Sequence, residues 1–597
     1  MSCTVLPKSS RLTIILLGLL QGAFLYLTRD SFERIEVASF QTALLFCNTL
    51  LFTLPLMLSL SVISLKDFRL WRGLGIILIM LLIVASWANW SLYDIFGGMR
   101  KSGIQFQYYA CLSAFVFLTL PWLQAQISQK SWFPDYESLH DNLWLNSLTV
   151  VITLILIGLF WGILRLCASL FSLLGIEFFE NLFFDSDLFI YLANGFMVGI
   201  GILTGRTQTQ FIKVGRNVLS VMIKGLLPLL SFIALIFIVT LPFVGLNALT
   251  AEWSAAGLLT TMVALLVVFV NAVYQTGLST PPYPKAIRWL VNASILVLPV
   301  YALFALYSMW VRVAQYGWTP ERVLATVIIC VAVCFACSYA FSVMRSRDSW
   351  LQPLSSINRL MSLVMIVLLV LVNSPLLDPY RISISSQLAR YQQNLTSSES
   401  LDLNAWRFKY GRAGNDALLA LKNDPQYVSD ALRKAELEQV MARQSVWDNS
   451  IDETANAEYA ELVAKRVQQG MELAKGTTMP PADFWRVFVS EDNYETRECL
   501  KDSTKCMVLA LDLDADGKDE YMVCNFNDGM TPRCSIFSML KDRWQRIGSV
   551  NLYSSDKSAD RFKQIMRQGE IKPKPRVWND LDLGDERVQI HYSIDEK

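Results

Sequence analysis

Long apolar runs separated by short polar connections fill the chain from Arg11 to about Leu377, and none of that length recurs in the polar remainder. About eleven runs reach the roughly 20 residues a helix needs to cross a hydrocarbon core. They lie near 11–28, 41–64, 74–93, 108–125, 146–170, 188–204, 225–248, 255–275, 289–310, 323–344 and 359–377. Only structures that satisfy every backbone hydrogen bond internally can span a bilayer, so runs of this length predict helices. The expected fold is an all-α polytopic transmembrane bundle of about 11 helices over residues 1–377, followed by a soluble α+β C-terminal domain.

The polar tail changes periodicity along its length. Ser386–Tyr391, Gly414–Lys422, Tyr427–Arg443 and Ala455–Lys475 show apolar residues at three- and four-residue spacing, which predicts a helical spacer over 378–476, with Asn394–Ser400 as a loop. Beyond it, Met507–Leu511 and Tyr521–Phe526 read as strands, so 477–597 is expected to be a small β-rich module, a disulfide-tied meander.

Composition supports the membrane reading: 53% of residues are hydrophobic and 17% charged, a departure from soluble proteins in the direction membrane proteins take. With a net charge of +1 and no clustered basic face, nucleic acid is excluded as a partner. The lipid bilayer is the expected surrounding. Only two histidines, His140 and His591, are present, which removes the usual ligands for haem and zinc and the usual acid/base group.

The first run is too long for a signal-peptide core and lacks a small-x-small site, so it reads as an uncleaved helix with Lys8 and Arg11 in the cytoplasm. Alternating outward from there, the cytoplasmic connections hold Lys66, Arg69, Arg72, Lys130, Arg206, Lys213, Arg216, Lys285, Arg288, Arg345, Arg347 and Arg359. The opposite loops hold Arg29, Arg34, Arg100, Lys101, Arg312 and Arg322. This bias follows the positive-inside rule, and an odd number of spans then puts the C-terminal domain outside, which in a bacterium is the periplasm; one span more or fewer reverses that side.

Cysteine usage gives an independent check on that orientation. Cys499, Cys506, Cys524 and Cys534 form an even set in the tail, as expected of two disulfides in an oxidising compartment. Three pairings are open, and buried free thiols are the competing account. Zinc is disfavoured by the spacing and by the lack of a nearby histidine. Cys330, Cys334 and Cys337 share one face of the tenth span, where apolar surroundings disfavour a thiolate, so small-residue packing is the expectation.

Ionisable groups deep in the spans are few; Arg165, Lys224 and Asp94 fall near expected ends, where long side chains reach the interface. A coupled transporter would need midplane carboxylates. Asp30, Glu33 and Glu36 follow the first span at helical spacing, a layout that permits a lipid-linked glycosyltransferase, although Arg34 can pair with Asp30 in a solvated turn. Phe171–Asp187 is aromatic and acidic and is expected to lie at the interface against its own bundle, with a lid over a cavity as the alternative. Pro281, Pro282, Tyr283, Pro284 and Lys285 form a stiff turn. In the loop from Arg312 to Arg322, Thr319 can cap a helix that opens on Pro320 and Glu321, and Tyr316 and Trp318 are interface anchors.

The tract from Tyr307 through Arg312, the run Gln315-Tyr316-Gly317-Trp318-Thr319-Pro320-Glu321-Arg322, the Tyr283-Pro284 turn and Leu377-Asp378-Pro379-Tyr380-Arg381-Ile382-Ser383 together carry a resemblance. The chain resembles the bacterial polytopic membrane proteins grouped as domain of unknown function 4153, over most of the membrane domain and the start of the tail. The resemblance implies architecture and an inner-membrane setting; it carries no catalytic residue.

The sharpest chemical pattern is Asp512-Leu513-Asp514-Ala515-Asp516-Gly517-Lys518-Asp519-Glu520. Carboxylates at alternate positions around a glycine turn are what hard, oxygen-seeking Ca²⁺ requires. Asp512, Asp514, Asp516 and Glu520 are the expected side-chain ligands and Lys518 the carbonyl ligand. An EF-hand would need Glu where Val523 stands, and strand-like flanks make the loop similar to those of integrin-type propeller repeats. An acidic turn with no ion is the competing account. The reading favoured overall is a non-enzymatic envelope anchor or sensor with a periplasmic or membrane protein partner. A transporter or lipid-handling protein comes second and the transferase third.

Overall fold

The computed structural model describes residues 6–28, 38–93, 102–244, 255–275, 282–345, 351, 353–395, 400–443, 457–491, 494–526, 532–551, 556–573, 581–582 and 587–588. Among them, 11 helices are long and apolar enough to cross a membrane. The chain is thus a multi-pass membrane protein. The helices are α1 Lys8–Thr28, α2 Ala38–Ser61, α3 Phe68–Leu92, α4 Ser102–Gln129, α5 Tyr136–Ser172 and α6 Asp187–Thr207. They continue as α7 Thr209–Val244, α8 Ala255–Tyr274, α9 Lys285–Tyr316, α10 Pro320–Arg345 and α11 Leu354–Val372. Three short helices follow: α12 Pro379–Gln392, α13 Leu403–Phe408 and α14 Gly411–Lys422. The chain divides into two compact units, Met1–Ala417 and Leu418–Lys597.

Among the described residues, two large apolar cores lie in the first unit. One joins α7 to α11 through Leu227, Leu266, Val291, Ala336 and Leu354. The other joins α1 to α4 through Ile14, Met57, Leu81 and Tyr108, and is reached by Ile202 of α6 and Ile366 of α11. Lipid supplies no hydrophobic drive for helices to pair, so close approach has to come from small residues. The α1–α6 seam shows this: a Cβ added to Gly18 would meet the Gly195 carbonyl oxygen at 2.3 Å, and one added to Gly22 would meet that of Tyr191 at 2.3 Å. On its other flank, α6 sets Gly201 and Gly205 against Thr153 and Thr149 of α5.

Polar side chains tie the spans together near their ends. Gln124 and Asn146 exchange hydrogen bonds at 2.9 and 3.0 Å between α4 and α5, and Arg216 of α7 meets Asp141 of α5 at 2.7 Å. The Asn358 amide donates to Asn271 at 2.7 Å and to Tyr136 at 3.2 Å, and its oxygen accepts from Tyr339 at 2.8 Å, linking α5, α8, α10 and α11. After α5 the chain turns through Phe178–Glu180 and a π-turn at Asn181–Asp185, where Arg165 meets Glu180 at 3.0 Å and Phe171 meets Phe179 at 4.3 Å between centroids. This is the expected packing of the aromatic segment on its own bundle. Cys330, Cys334 and Cys337 correct an expectation: all three are exposed, facing outward from α10, so they do not serve small-residue packing inside the bundle.

The second unit holds α15 Ala431–Ala442, α16 Ala457–Gly470, α17 Ala482–Ser490, α18 Tyr494–Lys501 and α19 Asp556–Gln568. Its sheet contains β1 Glu472–Leu473, β2 Cys506–Leu511, β3 Glu520–Asn525, β4 Arg533–Leu540 and β5 Arg543–Asn551, hydrogen-bonded in that order. The pair β1–β2 is parallel and the others are antiparallel, so β2 to β5 form the expected meander. A separate pair, β6 Leu581–Asp582 and β7 Arg587–Val588, completes the described strands.

Side chains alternate between faces along a strand, and both faces of this sheet are covered. Val508, Tyr521, Val523 and Phe537 pack with Phe484, Trp485 and Phe488 of α17. Met507, Leu509, Met522 and Cys524 pack with Met566 and Phe562 of α19. Two helix expectations need correction. The single helix over Tyr427–Arg443 is broken, because Asp430 caps α15 by accepting from the Leu432 and Arg433 amides. The helix through Lys475 ends at Gly470, where any Cβ would lie 1.9 Å from Ser503 Oγ, and the chain then extends into β1.

Candidate functional site

The turn between β2 and β3 brings part of the acidic set to one place. Asp512 directly follows β2 and Glu520 opens β3 opposite Leu511, so the hairpin register itself brings the two ends of the loop together. Carboxylate oxygens of Asp512, Asp514 and Glu520 lie within 4.8 Å of one another. Asp516 falls outside that group: its Oδ1 accepts the Lys518 amide at 2.7 Å and so closes the turn. Gly517 adopts φ +83°, a left-handed conformation that disfavours a side chain, and its amide donates to Asp512 Oδ2 at 3.1 Å.

Glu520 is 4% exposed, fixed by the Leu513 amide at 2.7 Å and the Ser538 hydroxyl at 3.0 Å. Asp512 Oδ1 is buried without a hydrogen-bond partner. Three carboxylates this close repel, and a buried lone pair without a donor is costly; a hard divalent cation answers both. Asp512, Asp514 and Glu520 are therefore a set that can hold a metal ion.

The disulfides sit at the other end of the same hairpin. Cys524 and Cys534 are directly opposed across β3 and β4, and Cys499 of α18 is bonded to Cys506 at the start of β2. Of the three open pairings, the sheet register selects this one. Arg567 of α19 holds Glu472 of β1 in a two-pronged ion pair, which keeps the Glu472 carboxyl below its ordinary range.

In the first unit, two of the tracts that carry the family resemblance meet, the run Gln315–Arg322 and the segment that opens on Leu377. The Trp318 carbonyl accepts from Ser383 at 3.0 Å and Gln387 at 3.1 Å, while Arg390 donates to the Ala314 and Gln315 carbonyls that end α9. Asp378 caps α12 through the Tyr380 and Arg381 amides and also accepts from the Trp87 indole at 3.0 Å. Burial pushes the Asp378 carboxyl up, against those donors. Burial likewise pushes Tyr410 up to about 12. Arg381 lies over Trp87 and Trp90, and Arg412 over Trp90 and Tyr93. A cap tied to a tryptophan 291 positions away in sequence has no local pattern to announce it.

A model of the family described as Domain of unknown function (DUF4153) matches residues 39–423. The chain belongs to the DUF4153 family. The match covers α2 to the end of α14, so this DUF4153 protein carries its disulfide-tied sheet outside the matched region. No curated protein and no solved structure matches the chain. Several sequence expectations of this DUF4153 protein lie outside the described residues: Asp30, Glu33 and Glu36, with Arg34 beside them, and also Asp94, Pro281 and His591.

Proposed function

We propose that this DUF4153 protein is a non-enzymatic envelope protein of a bacterial inner membrane. Its C-terminal module stands in the periplasm, is braced by Ca²⁺ and works by binding a protein partner. The observation that carries this reading is the joining of all four tail cysteines as two disulfides within one small unit. Structural disulfides persist on the oxidising side of a membrane and are rare in the cytosol. The Lys and Arg bias of the loops supports the same side.

Binding fits the architecture of the module. The ion loop sits at one end of a hairpin whose carboxylates Asp512, Asp514 and Glu520 face a common point, and tight oxygen cages of this kind favour structure over turnover. Strand β5 is an edge of the sheet, and sheet edges pair readily with extended segments of other chains.

The test is protease access in spheroplasts that express the full chain. Periplasmic placement expects the module to be cleaved from outside, with cleavage near residues 512–520 slowed by millimolar Ca²⁺ and restored by a chelator. Full protection in intact spheroplasts overturns the placement. Cleavage that Ca²⁺ leaves unchanged overturns the ion.

A further inference from the structure

Helix α7 is 36 residues long and so rises about 54 Å, well beyond the roughly 30 Å of a hydrocarbon core. A straight span of that length would need a tilt of about 55°, outside the usual range of up to about 40°. Where α7 starts is fixed by α6, whose 21 residues rise about 31 Å and reach one membrane boundary at Thr207, with Gln208 alone before α7.

Three contacts hold the first half of α7 at that boundary. Arg216 meets Asp141 near the start of α5 at 2.7 Å, Ser220 accepts from Gln275 just past the end of α8 at 3.0 Å, and the Lys224 carbonyl accepts from Tyr283 just before α9 at 2.8 Å. Successive spans alternate in direction, so these three ends lie on the side where α6 ends. From Arg216 to Lys224 the helix rises about 12 Å along its own axis and stays level with them. Beyond Lys224 its contacts go deep. Ser231 accepts from Ser294 at 3.0 Å and the Ala234 carbonyl accepts from Tyr301 at 2.7 Å, about 14 and 24 Å along α9 from its start. The change of direction has a cause in the sequence: Pro228 has no N–H for the Lys224 carbonyl four residues earlier, and the Tyr283 hydroxyl takes that carbonyl instead.

Residues 210–224 carry three stripes. Ile212 and Ser220 are buried against the bundle, with Ile223 packed on its core. Gln210, Lys213 and Asn217, at three- and four-residue spacing, are exposed and polar. Phe211, Val214, Val218 and Val221, at the same spacing, are 64%, 60%, 54% and 69% exposed and apolar. Immersed in hydrocarbon, this stretch would strand its polar stripe; projecting into water, it would expose its apolar one. A helix lying along the boundary satisfies both, with one stripe to water and the other to acyl chains.

We propose that residues 210–224 form an interfacial arm that seats Phe211, Val214, Val218 and Val221 in the lipid leaflet at the boundary where α6 ends. The apolar stripe continues past the bend into Leu229, Phe232 and Ile236, which are exposed on the spanning half of α7, so lipid covers both. Through Arg216, Ser220 and Lys224 the arm ties the ends of α5, α8 and α9 to the membrane surface. The arm goes beyond the proposed function and holds whichever side of the membrane that boundary faces.

The full chain in liposomes of phosphatidylethanolamine and phosphatidylglycerol tests this by photocrosslinking. The photoreactive residue p-benzoylphenylalanine replaces Phe211, Val214 or Val218 on one stripe, or Lys213 or Asn217 on the other, and lipid adducts are read by mass spectrometry. Adducts on the apolar stripe are expected to exceed those on the polar stripe by about fivefold or more. Equal yields on the two stripes, or an apolar stripe that labels a second protein chain rather than lipid, overturn the arm. All five positions are exposed, and each stripe offers more than one, so the comparison survives a variant that fails to fold.

Discussion

Replacing Gly195 by Ala should destabilise the bundle, whereas the same replacement at Gly158 should stabilise it. The Cβ at Gly195 would sit 2.3 Å from the Gly18 carbonyl oxygen and 3.1 Å from its carbon, where ordinary contact begins near 3.4 Å. To admit it, α1 and α6 must separate by about 1 Å, and a gap of that size forfeits a quarter to a half of each dispersion contact along the seam. Overpacking of this kind costs about 1–3 kcal/mol. At Gly158 of α5 an added Cβ meets nothing within 4 Å. There only helix propensity acts, and Ala is favoured over Gly by up to about 1 kcal/mol. Propensity acts equally at both sites and cancels between the variants, so their difference isolates the close approach at about 1–3 kcal/mol. Unfolding of the purified protein in mixed micelles at rising SDS mole fraction, followed by tryptophan fluorescence, measures it. Matching midpoints for the two variants would refute the argument that backbone contact holds α1 to α6.

Three further outcomes are expected. Cys524→Ser with Cys534→Ser opens a loop of sequence separation 10 and should cost the C-terminal unit about 3 kcal/mol, read as faster proteolysis of the full chain in rising urea; an unchanged profile counts against the crosslink. Glu520→Gln keeps the shape of the side chain but removes one of three clustered charges, so Ca²⁺ protection of the loop should require at least tenfold more ion; protection at the wild-type concentration removes Glu520 from the ligand set. Burial raises the Asp378 carboxyl above its ordinary value, so its contribution to stability is full below the ordinary carboxylate range and is lost as pH rises through the raised value. Asp378→Asn keeps a helix cap and cannot titrate, so the wild-type minus variant difference should fall across that window, and a flat difference contradicts the assigned burial.

Apolar run length determined the eleven spans by itself, because a membrane core of fixed thickness turns composition directly into helices. The β2–β3 hairpin was legible for a similar reason: two apolar runs flank a glycine turn whose residues admit few conformations. The four tail cysteines were legible as a set, but their pairing was not, because only the register of β3 on β4 brings Cys524 opposite Cys534. The acidic loop was read as a string of alternating ligands. The fold keeps Asp512, Asp514 and Glu520 together and gives Asp516 to the turn, a division that depends on hydrogen bonds within the loop.

The glycines of α1 and α6 were visible at four-residue spacing, yet nothing in either segment names its partner 177 positions away, since Gly18 and Gly195 meet only after both helices have formed. The Asp378 cap on Trp87 arises in the same way, from surfaces brought side by side after the helices are made. Sequence determined which segments enter the membrane, which cysteines belong together and where an acidic loop lies, because each follows from local periodicity or local composition. Tertiary structure decided which helices touch and which carboxylates converge, because those depend on packing between residues far apart in the chain.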